Sequence, residues 1–321
     1  MTRVLIILIL PILVKGLFCD ILSYMIIGID LGGTKILTAV ADKNGKVLAS
    51  VKLDTQARLG PKKVLENLKK SVMLALDKAN VPLSRITRIG VGAPGPIIGQ
   101  GVIVSPPNLP GWKKVDLKKK LEKMFRKKVV VENDANAAAL AEHRFGAGKG
   151  SDNILYITIS TGIGGGLIIS GRIYRGSYGV AGEIGHMVVL PEGPRCKCGN
   201  YGCLEAIASG PAIARFAGQK DALAAEIAAR KGNKKAIDSI KRAGKYAGIG
   251  IANANNLLDL DMIVIGGGVA NMGELLFSPI REWAKRCSMS IFRKHIKIVP
   301  AKLKTNVGVM GAIAICLESD E

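Results

Sequence analysis

Aromatic residues, acidic residues and histidines are all scarce in this chain of 321 residues. Phe, Trp and Tyr make up only 4% of a sequence that is 48% hydrophobic, so its cores must be built from aliphatic side chains. No aromatic residues alternate with the cations, as a platform for stacked nucleic acid bases would require. Only 25 acidic residues accompany 46 Lys and Arg, which gives a net charge of +21. We interpret this excess as a generally basic surface, although nucleic acid, a membrane surface or an anionic substrate would also suit it.

The apolar run near the N-terminus, Val4–Val14, is too short to cross a membrane. It has eleven residues and contains Pro11, whereas a spanning helix needs about 20. Its length and basic flanks are those of a signal-peptide core. A strand that reads as a natural start begins at Met25, however. Residues 1–24 are therefore predicted to be a dispensable extension or a misplaced start rather than an export signal, and no membrane association is expected.

Three of the six cysteines and one of the three histidines lie in a single short, glycine-containing segment. His186, Cys196, Cys198 and Cys203 are a tetrahedral zinc set, because thiolates and imidazole are the ligands that Zn²⁺ prefers. Free cysteines or a disulfide are the alternatives, but cysteines two positions apart rarely bridge each other. Four protein ligands leave no open position, which predicts a structural ion. Thiolate ligands also favour a reducing cytoplasm.

Two parts of the chain repeat one plan of strand, glycine-rich turn and hairpin, followed by helices and a strand that ends in glycines. In the first copy the predicted strands are Met25–Asp30, Ile36–Ala41, Val47–Leu53 and Ile89–Val91, with the turn at Leu31–Thr34. In the second copy they are Ile154–Ser160, Leu167–Ile169, Arg172–Tyr174 and Met262–Ile265, with the turn at Thr161–Gly166. This duplication predicts an α/β fold in two halves with a cleft between them.

Helices are predicted where apolar residues recur at helical spacing or alanines run together. They cover Lys63–Lys78, the stretch with Leu117, Leu121 and Phe125, the alanine-rich Ala135–Ala141, and Val309–Leu317. A short buried strand, Val129–Val131, precedes the alanine-rich helix. We expect residues 25–133 to form a small domain and residues 134–307 a large domain that carries the zinc loop, residues 186–203. The C-terminal helix, residues 308–321, is expected to return to the small domain.

Three glycine clusters follow predicted strands and suit phosphate or nucleotide binding. Glycine amides can approach phosphate oxygens closely, a hydroxyl can donate to them, and a carboxylate such as Asp30 suits Mg²⁺ or its waters. A tight hairpin, or for the last cluster close helix–strand packing, would also explain the glycines. The candidate residues are Asp30, Gly32, Gly33, Thr34 and Lys35, then Thr161, Gly162, Gly164 and Gly165, and finally Gly266, Gly267 and Gly268, where a base or ribose would lie.

Asp134 ends the acidic sequence Glu132-Asn133-Asp134 after a short predicted strand. A carboxylate at that point can take the proton from a hydroxyl as the oxygen attacks phosphorus. The same residue would also serve as the N-cap of the alanine-rich helix. The two roles are compatible, and the residues alone do not separate them.

Seven motifs in order, from about Met25 to Ala314, resemble the ROK family of sugar kinases and repressors. They are DLGGTK, GAPGP, PNLPGW, ENDANAAALAE, STGIGGG, EIGH and CKCGNYGCLE. The resemblance implies a duplicated actin-like (ribonuclease H-like) ATPase fold and transfer of phosphate from ATP, with Mg²⁺, to the C6 hydroxyl of a hexose. It implies that Asp134 is the catalytic base and that His186, Cys196, Cys198 and Cys203 bind Zn²⁺. The implied sugar ligands are Gly95, Asn108, Asn133, Asp134, Glu183, His186 and Glu205.

Glucose is the expected acceptor, with N-acetylglucosamine and N-acetylmannosamine as alternatives. The family's repressors carry a helix-turn-helix module before the kinase-like body, and residues 1–24 are too few to hold one, so we expect no nucleic acid partner. A sugar sensor would not need the base and both phosphate turns. Polyphosphate would suit the net charge, but members with the zinc loop resemble ATP users. We also expect a homo-oligomer, a dimer or a tetramer.

Overall fold

The computed structural model describes residues 24–318. The apolar run Val4–Val14 and the last three residues of the predicted C-terminal helix, 319–321, lie outside the described residues. Across residues 24–318, every helix is too short or too polar to span a membrane.

A five-stranded sheet forms the first half of the fold. Its strands are β1 (Met25–Leu31), β2 (Lys35–Asp42), β3 (Val47–Asp54), β4 (Ile86–Ala93) and β8 (Lys128–Asn133). Between β4 and β8 the chain forms a separate small sheet of β5 (Ile97–Ile98), β6 (Val102–Ile103) and β7 (Val115–Asp116). The order is β3-β2-β1-β4-β8. The β1–β2 and β2–β3 pairs are antiparallel, whereas β1–β4 and β4–β8 are parallel.

The second sheet repeats this topology. Its strands are β9 (Ile154–Ile159), β10 (Ile163–Ile169), β11 (Arg172–Tyr174), β12 (Met262–Gly266) and β13 (Ile298–Pro300), in the order β11-β10-β9-β12-β13. Here too the hairpin pairs are antiparallel, and β9–β12 and β12–β13 are parallel. The duplicated α/β fold predicted from the sequence is therefore confirmed.

Helices cover both sheets. They are α1 (Gly60–Ala79), α2 (Leu117–Phe125), α3 (Asp134–Phe145), α4 (Leu204–Ala208), α5 (Gly210–Ala217), α6 (Ala222–Arg230), α7 (Lys234–Leu258), α8 (Glu274–Cys287) and α9 (Val307–Glu318). Helices α1 and α2 bury one face of the first sheet, and α2 does so through Leu117, Leu121 and Phe125 as predicted. Helices α4 to α8 bury one face of the second sheet.

Helices α3 and α9 lie between the two sheets and pack against each other. Helix α9 contacts β1 and β4, and α3 contacts β9 and β10. Glycines permit this close approach: a Cβ on Gly28 would lie 2.8 Å from Ile313 Cγ1, and one on Gly311 would lie 2.5 Å from the Ala137 carbonyl oxygen. Helix α9 thus packs on β1, near whose end Asp30 lies, and α3 begins at Asp134, directly after β8.

The predicted glycine turn Thr161–Gly166 is shorter than expected. Strand β9 ends at Ile159 and β10 begins at Ile163, so Gly164, Gly165 and Gly166 are strand residues. A Cβ on Gly165 would lie 2.5 Å from the Gly182 carbonyl oxygen, and one on Gly166 would lie 2.8 Å from Ala139 Cβ. These glycines let a loop and helix α3 pack directly onto the strand, and only residues 160–162 turn.

Candidate active site

A cavity of about 530 Å³ lies where β8 meets α3, bounded by the β9–β10 turn and by two loops. The sequence-predicted residues that line it are Gly95, Asn133, Asp134, Thr161, Gly162, Gly164, Gly165, Glu183, His186 and Glu205. The lining also includes Pro96 and Pro107, which belong to the GAPGP and PNLPGW motifs but were not proposed as site residues, and Ile97 and Val180, which sequence reasoning missed. Apolar loop residues of this kind carry no chemical signal in a sequence. The fold thus gathers residues from both halves of the chain into one site.

Asn133, and not Asp134, is the N-cap of α3. The Asn133 side-chain oxygen accepts hydrogen bonds from the amides of Ala135 and Asn136, at 2.9 and 3.4 Å. Asp134 is the first helical residue, and its Oδ1 accepts from the Ala135 amide at 2.8 Å. The sequence left open whether Asp134 is a catalytic base or the helix cap, and the structure gives the capping role to Asn133. The Asp134 carboxylate is left accessible from the cavity.

The environment of Asp134 makes its carboxylate unusually basic. Asp134 is exposed to the cavity, yet the protein around it desolvates the carboxyl group and so raises its pKa to about 6. The Ala135 amide opposes the shift, whereas the negative charges of Asp30 and Glu183 add to it. A carboxylate with a pKa near 6 is ionised at pH 7 yet basic enough to accept a proton from a hydroxyl.

Two further carboxylates face Asp134 across the cavity. Glu205 Oε2 accepts a hydrogen bond from the Ile163 amide at 2.9 Å, which fixes it beside the β9–β10 turn. Glu183 Oε2 lies 4.0 Å from His186 Nε2. Burial raises the pKa of Glu183, the nearby His186 lowers it and Glu205 raises it. The cavity therefore presents several hydrogen-bond acceptors around a small polar space, as a polyhydroxylated ligand requires.

The four predicted metal ligands converge beside this cavity. One potential ligand atom from each of His186, Cys196, Cys198 and Cys203 lies within 4.8 Å of all the others. His186 Nδ1 is 3.7 Å from Cys196 Sγ, and Cys198 Sγ is 3.6 Å from Cys203 Sγ. Two sulfurs bound tetrahedrally to zinc at about 2.3 Å would be about 3.8 Å apart. The donor set and its spacing fit a structural Zn²⁺.

His186 presents its two ring nitrogens to different surroundings. Nδ1 faces the cysteines, whereas Nε2 is the atom nearest Glu183. Two isolated antiparallel backbone pairings, Val188 with Cys203 and Arg195 with Tyr201, hold the cysteine loop. Burial raises the pKa of the Cys203 thiol to about 12, and a bound cation would reverse this by stabilising the thiolate. One imidazole thus joins the metal cluster to the cavity wall.

Asn108 and the first glycine turn do not line this cavity. A Cβ on Gly33 would lie 2.6 Å from the Asn108 carbonyl oxygen, so the turn and the PNLPGW segment pack together. The turn is closed by a hydrogen bond from the Gly32 amide to the Lys35 carbonyl, 2.9 Å, and Thr55 Oγ1 donates to the Gly32 carbonyl at 2.6 Å. Asp30, at the end of β1, is close enough to influence Asp134, and burial raises its own pKa.

Two more cavities adjoin the first around Gly266, Gly267 and Gly268, the glycines at and after the end of β12 (the β12 glycines). One, of about 550 Å³, shares Ser160 and Thr161 with the main cavity and is otherwise lined largely by α5, α6 and the residues that connect them. The other, of about 600 Å³, shares Thr158 with the main cavity and contains Gly266, Gly267 and Gly268. Only Gly268 lines both. The α5 and α6 residues were missed in the sequence because apolar helix residues at a cavity look like core residues.

The three β12 glycines divide between the two explanations that the sequence left open. A Cβ on Gly266 would lie 2.6 Å from Tyr156 Oη, and one on Gly267 would collide with the Ile159 carbonyl oxygen. Both are therefore required by packing. A Cβ on Gly268 would meet only Ser160 Oγ, at 3.9 Å, so that glycine faces open space. Of the three, only Gly268 is not required by packing.

Two repeated sheets with a helix pair between them, and an acid at the start of one of those helices, define the actin-like ATPase fold. The sequence profile of the ROK family matches residues 26–319. Glucokinase from Streptomyces coelicolor is 36% identical over 318 residues, covering 92% of this chain and 98% of that protein. The chain belongs to the ROK family.

Solved structures agree with this assignment. ROK hexokinase from Thermus thermophilus has a TM-score of 0.82 and 37% identity, covering 92% of this chain and 99% of that one. A ROK family glucokinase from Streptomyces griseus, solved with glucose and AMPPNP, has a TM-score of 0.75 and 35% identity, covering 90% of this chain and 97% of that one. The similarity thus extends over nearly the whole length of both enzymes.

Proposed function

We propose that this protein is an ATP-dependent hexokinase that transfers the γ-phosphoryl group of ATP to the C6 hydroxyl of glucose. The observation that carries the proposal is Asp134, a carboxylate with a pKa of about 6 that faces a polar cavity beside the β9–β10 turn. The similarity of the whole protein to glucokinases, which covers at least nine-tenths of the chain, supports ATP as the donor and glucose as the acceptor.

In this mechanism Asp134 accepts the proton of the C6 hydroxyl while the C6 oxygen attacks the γ-phosphorus, and ADP leaves with the bridging oxygen. Proton removal by the base and alignment of the two substrates are what the protein contributes. The Asn133 cap holds the start of α3, and Gly95 leaves room for the Asn133 side chain, because a Cβ there would lie 2.7 Å from Asn133 Nδ2. Asp134 is thereby fixed at the cavity wall.

The sugar would be held by hydroxyl contacts to Asn133, Glu183, Glu205 and His186 Nε2. These groups lie on one cavity, and Glu205 is already fixed by its bond to the Ile163 amide. Asn108 lies outside that lining, beside Gly33 on the first half. We therefore propose that residues 25–133, with α9, approach residues 134–307 when sugar binds, bringing Asn108 to the sugar.

ATP would run from the apolar cavity beside α5 and α6 to the main cavity. Gly268 opens onto the first of these, and Thr161 and Gly162 line the main cavity. The Gly33 amide, with Thr34 and Lys35, would contact the terminal phosphates from the other half. The Gly32 amide shapes this turn through its bond to the Lys35 carbonyl. Asp30, at the end of β1, would hold Mg²⁺ or its waters.

Zn²⁺ held by His186 and the three cysteines would be structural. The four-ligand shell leaves no position for substrate. The ion would orient the His186 ring, so that Nε2 points to the sugar, and it would hold the loop that precedes Glu205. Thiolate ligands of this kind suit a reducing cytoplasm.

The proposed activity is tested by measuring ADP release over a panel of hexoses and N-acetylhexosamines, with Asp134→Asn as the control. We expect glucose-dependent ADP release that is lost in the variant. A preference for N-acetylglucosamine or N-acetylmannosamine would leave the proposed phosphoryl transfer intact but would change the sugar that accepts the phosphate. Size-exclusion chromatography with light scattering on the same sample tests the expected homo-oligomer.

A further inference from the structure

Lys304 has a backbone conformation that is unfavourable for its side chain. Its φ is 48°, in the left-handed region, and it lies in the short 3₁₀ turn Lys304–Asn306 just before α9. The left-handed region is costly for residues with a Cβ, because the Cβ approaches the neighbouring carbonyl. Such conformations persist where the surrounding structure imposes them, and they are concentrated at functional sites. The question is what this turn serves.

A buried carboxylate fixes the two residues before Lys304. Glu142, at the end of α3, is completely buried. Its Oε2 accepts hydrogen bonds from the amides of Ala147 and Lys302, at 2.7 and 3.1 Å, and its Oε1 accepts from the Leu303 amide at 2.8 Å. The turn is then closed by a bond from the Asn306 amide to the Leu303 carbonyl, 3.0 Å. The backbone at Lys304 is therefore held in place from both sides.

The fixed turn places Lys304 on the 600 Å³ cavity that contains the β12 glycines. This cavity lies at the carboxyl ends of the parallel strands β9, β12 and β13, where α/β proteins usually bind ligands. It shares Thr158 with the Asp134 cavity and Gly268 with the apolar cavity beside α5 and α6. Among residues 24–318, no acidic side chain lines it.

This arrangement supplies a positive charge where a nucleotide needs one. A ligand whose base occupies the apolar cavity and whose terminal phosphate reaches Asp134 passes the β9–β10 turn, where the two cavities share Ser160 and Thr161. The third cavity adjoins this path at both ends, through Gly268 and Thr158. A chain of phosphates at that point lies beside the cavity that Lys304 lines, with no carboxylate there to oppose it. We propose that Lys304 binds the phosphate chain of the nucleotide, an inference that rests on the proposed ATP-dependent function.

The proposal is tested by calorimetric binding of ADP and of adenosine to the full chain and to Lys304→Met. We expect ADP affinity to fall about tenfold, the usual magnitude for one charge-assisted hydrogen bond at an accessible site. Adenosine affinity should be unchanged, because adenosine has no phosphate. The matched control is Lys302→Met. Lys302 lies two residues before Lys304 and carries the same charge, but its side chain does not line the cavity.

A second variant separates phosphate binding from folding. Lys304→Gly removes the charge and also relieves the left-handed strain, so we expect its melting temperature to rise by about 2 °C while ADP affinity falls as in Lys304→Met. Lys304→Arg should retain most of the ADP affinity. Loss of ADP binding with a raised melting temperature cannot come from unfolding.

The proposal is overturned if Lys304→Met and Lys304→Gly bind ADP within twofold of the wild type, or if Lys302→Met loses as much affinity. These outcomes are distinct from failure of the proposed function. A wild-type chain that binds ADP but phosphorylates no sugar would refute the hexokinase proposal while the binding comparison still decides the role of Lys304. A wild-type chain that does not bind ADP would refute both.

Discussion

Arg175 donates a hydrogen bond from Nε to Glu132 Oε2 across 2.6 Å and so joins the two halves of the molecule. Glu132 belongs to β8 of the first sheet and is 7% exposed, whereas Arg175 follows β11 of the second sheet. The same guanidinium reaches Glu318 Oε2 of α9 at 3.3 Å. The other Glu132 oxygen accepts from Asn136 Nδ2 at 3.0 Å. The ion pair lies directly behind the Asn133-Asp134 segment.

Removing Arg175 should therefore destabilise the fold. Arg175→Met leaves the Glu132 carboxylate buried without its cation, and we expect a loss of about 2 kcal/mol, less than for fully buried pairs because the arginine is half exposed. Lys63→Met is the control, since Lys63 forms an exposed pair with Glu66 within α1; it should cost less than about 0.5 kcal/mol. Urea unfolding of both variants measures the difference. Equal losses would contradict a special role for the Arg175–Glu132 pair.

Asp134→Asn should abolish phosphoryl transfer while sugar still binds. The amide keeps the shape of the carboxylate but cannot accept the proton, so we expect kcat to fall by about 10²–10⁴-fold. In the wild type, activity should fall as pH drops below about 6, where Asp134 becomes protonated. Steady-state rates between pH 5 and pH 8 and glucose titrations of the variant check both. A variant that retains a tenth of the wild-type kcat would refute the assignment.

The raised pKa of Asp134 also has a consequence for stability, with the opposite sign from a salt-bridged acid. Between the unfolded pKa near 3.9 and the folded pKa of about 6, the native state binds more protons than the unfolded state. Stability from this group therefore falls as pH rises through that window. We expect Asp134→Asn to melt at a higher temperature than the wild type at pH 8, and the difference to shrink at pH 4. A constant difference would mean that desolvation of the charge is not its cause.

Cys198→Ala should release zinc and weaken sugar binding, with little effect on nucleotide binding. Without the ion, the His186 ring and the loop before Glu205 lose their anchor, whereas none of the four candidate ligands lines the apolar cavity beside α5 and α6. Cys287→Ala removes a cysteine outside the cluster and is the matched control. Metal analysis with glucose and ADP titrations tests the prediction. Zinc-free protein with normal glucose affinity would break the link, and equal loss of both affinities would indicate general unfolding.

Gly267→Ala and Gly268→Ala should behave differently although they are neighbours. Gly267 has a φ of 86° and its Cβ would collide with the Ile159 carbonyl oxygen, so we expect the first variant to be strongly destabilised. A methyl group on Gly268 enters open space, so the second should fold with nearly wild-type stability and lose nucleotide affinity. Thermal melts and ADP titrations distinguish the two. Normal ADP affinity in Gly268→Ala would place the nucleotide elsewhere.

The local elements, and the candidate metal ligands as a set of residue types, could be predicted from the sequence by itself. Alternating and continuous apolar runs predicted strands β1 to β4 and β8 to β12, because hydrophobic periodicity reflects burial on a sheet. Cysteine spacing predicted a His/Cys set suited to zinc, since the chemistry of thiolate and imidazole is a property of residue type. The structure brings those four side chains together. The repeated hairpins predicted the duplication, because each copy shows the same order of apolar runs and glycine-rich turns.

Only the tertiary structure decided which of several adjacent residues has which role. It made Asn133 the helix cap and left Asp134 facing the cavity, it assigned Gly266 and Gly267 to packing and Gly268 to open space, and it put Gly164 and Gly165 inside a strand. It also paired Glu132 with Arg175, 43 residues away. Desolvation, steric clearance and ion pairing depend on atoms that are distant in the chain and adjacent in space, so no local pattern contains them.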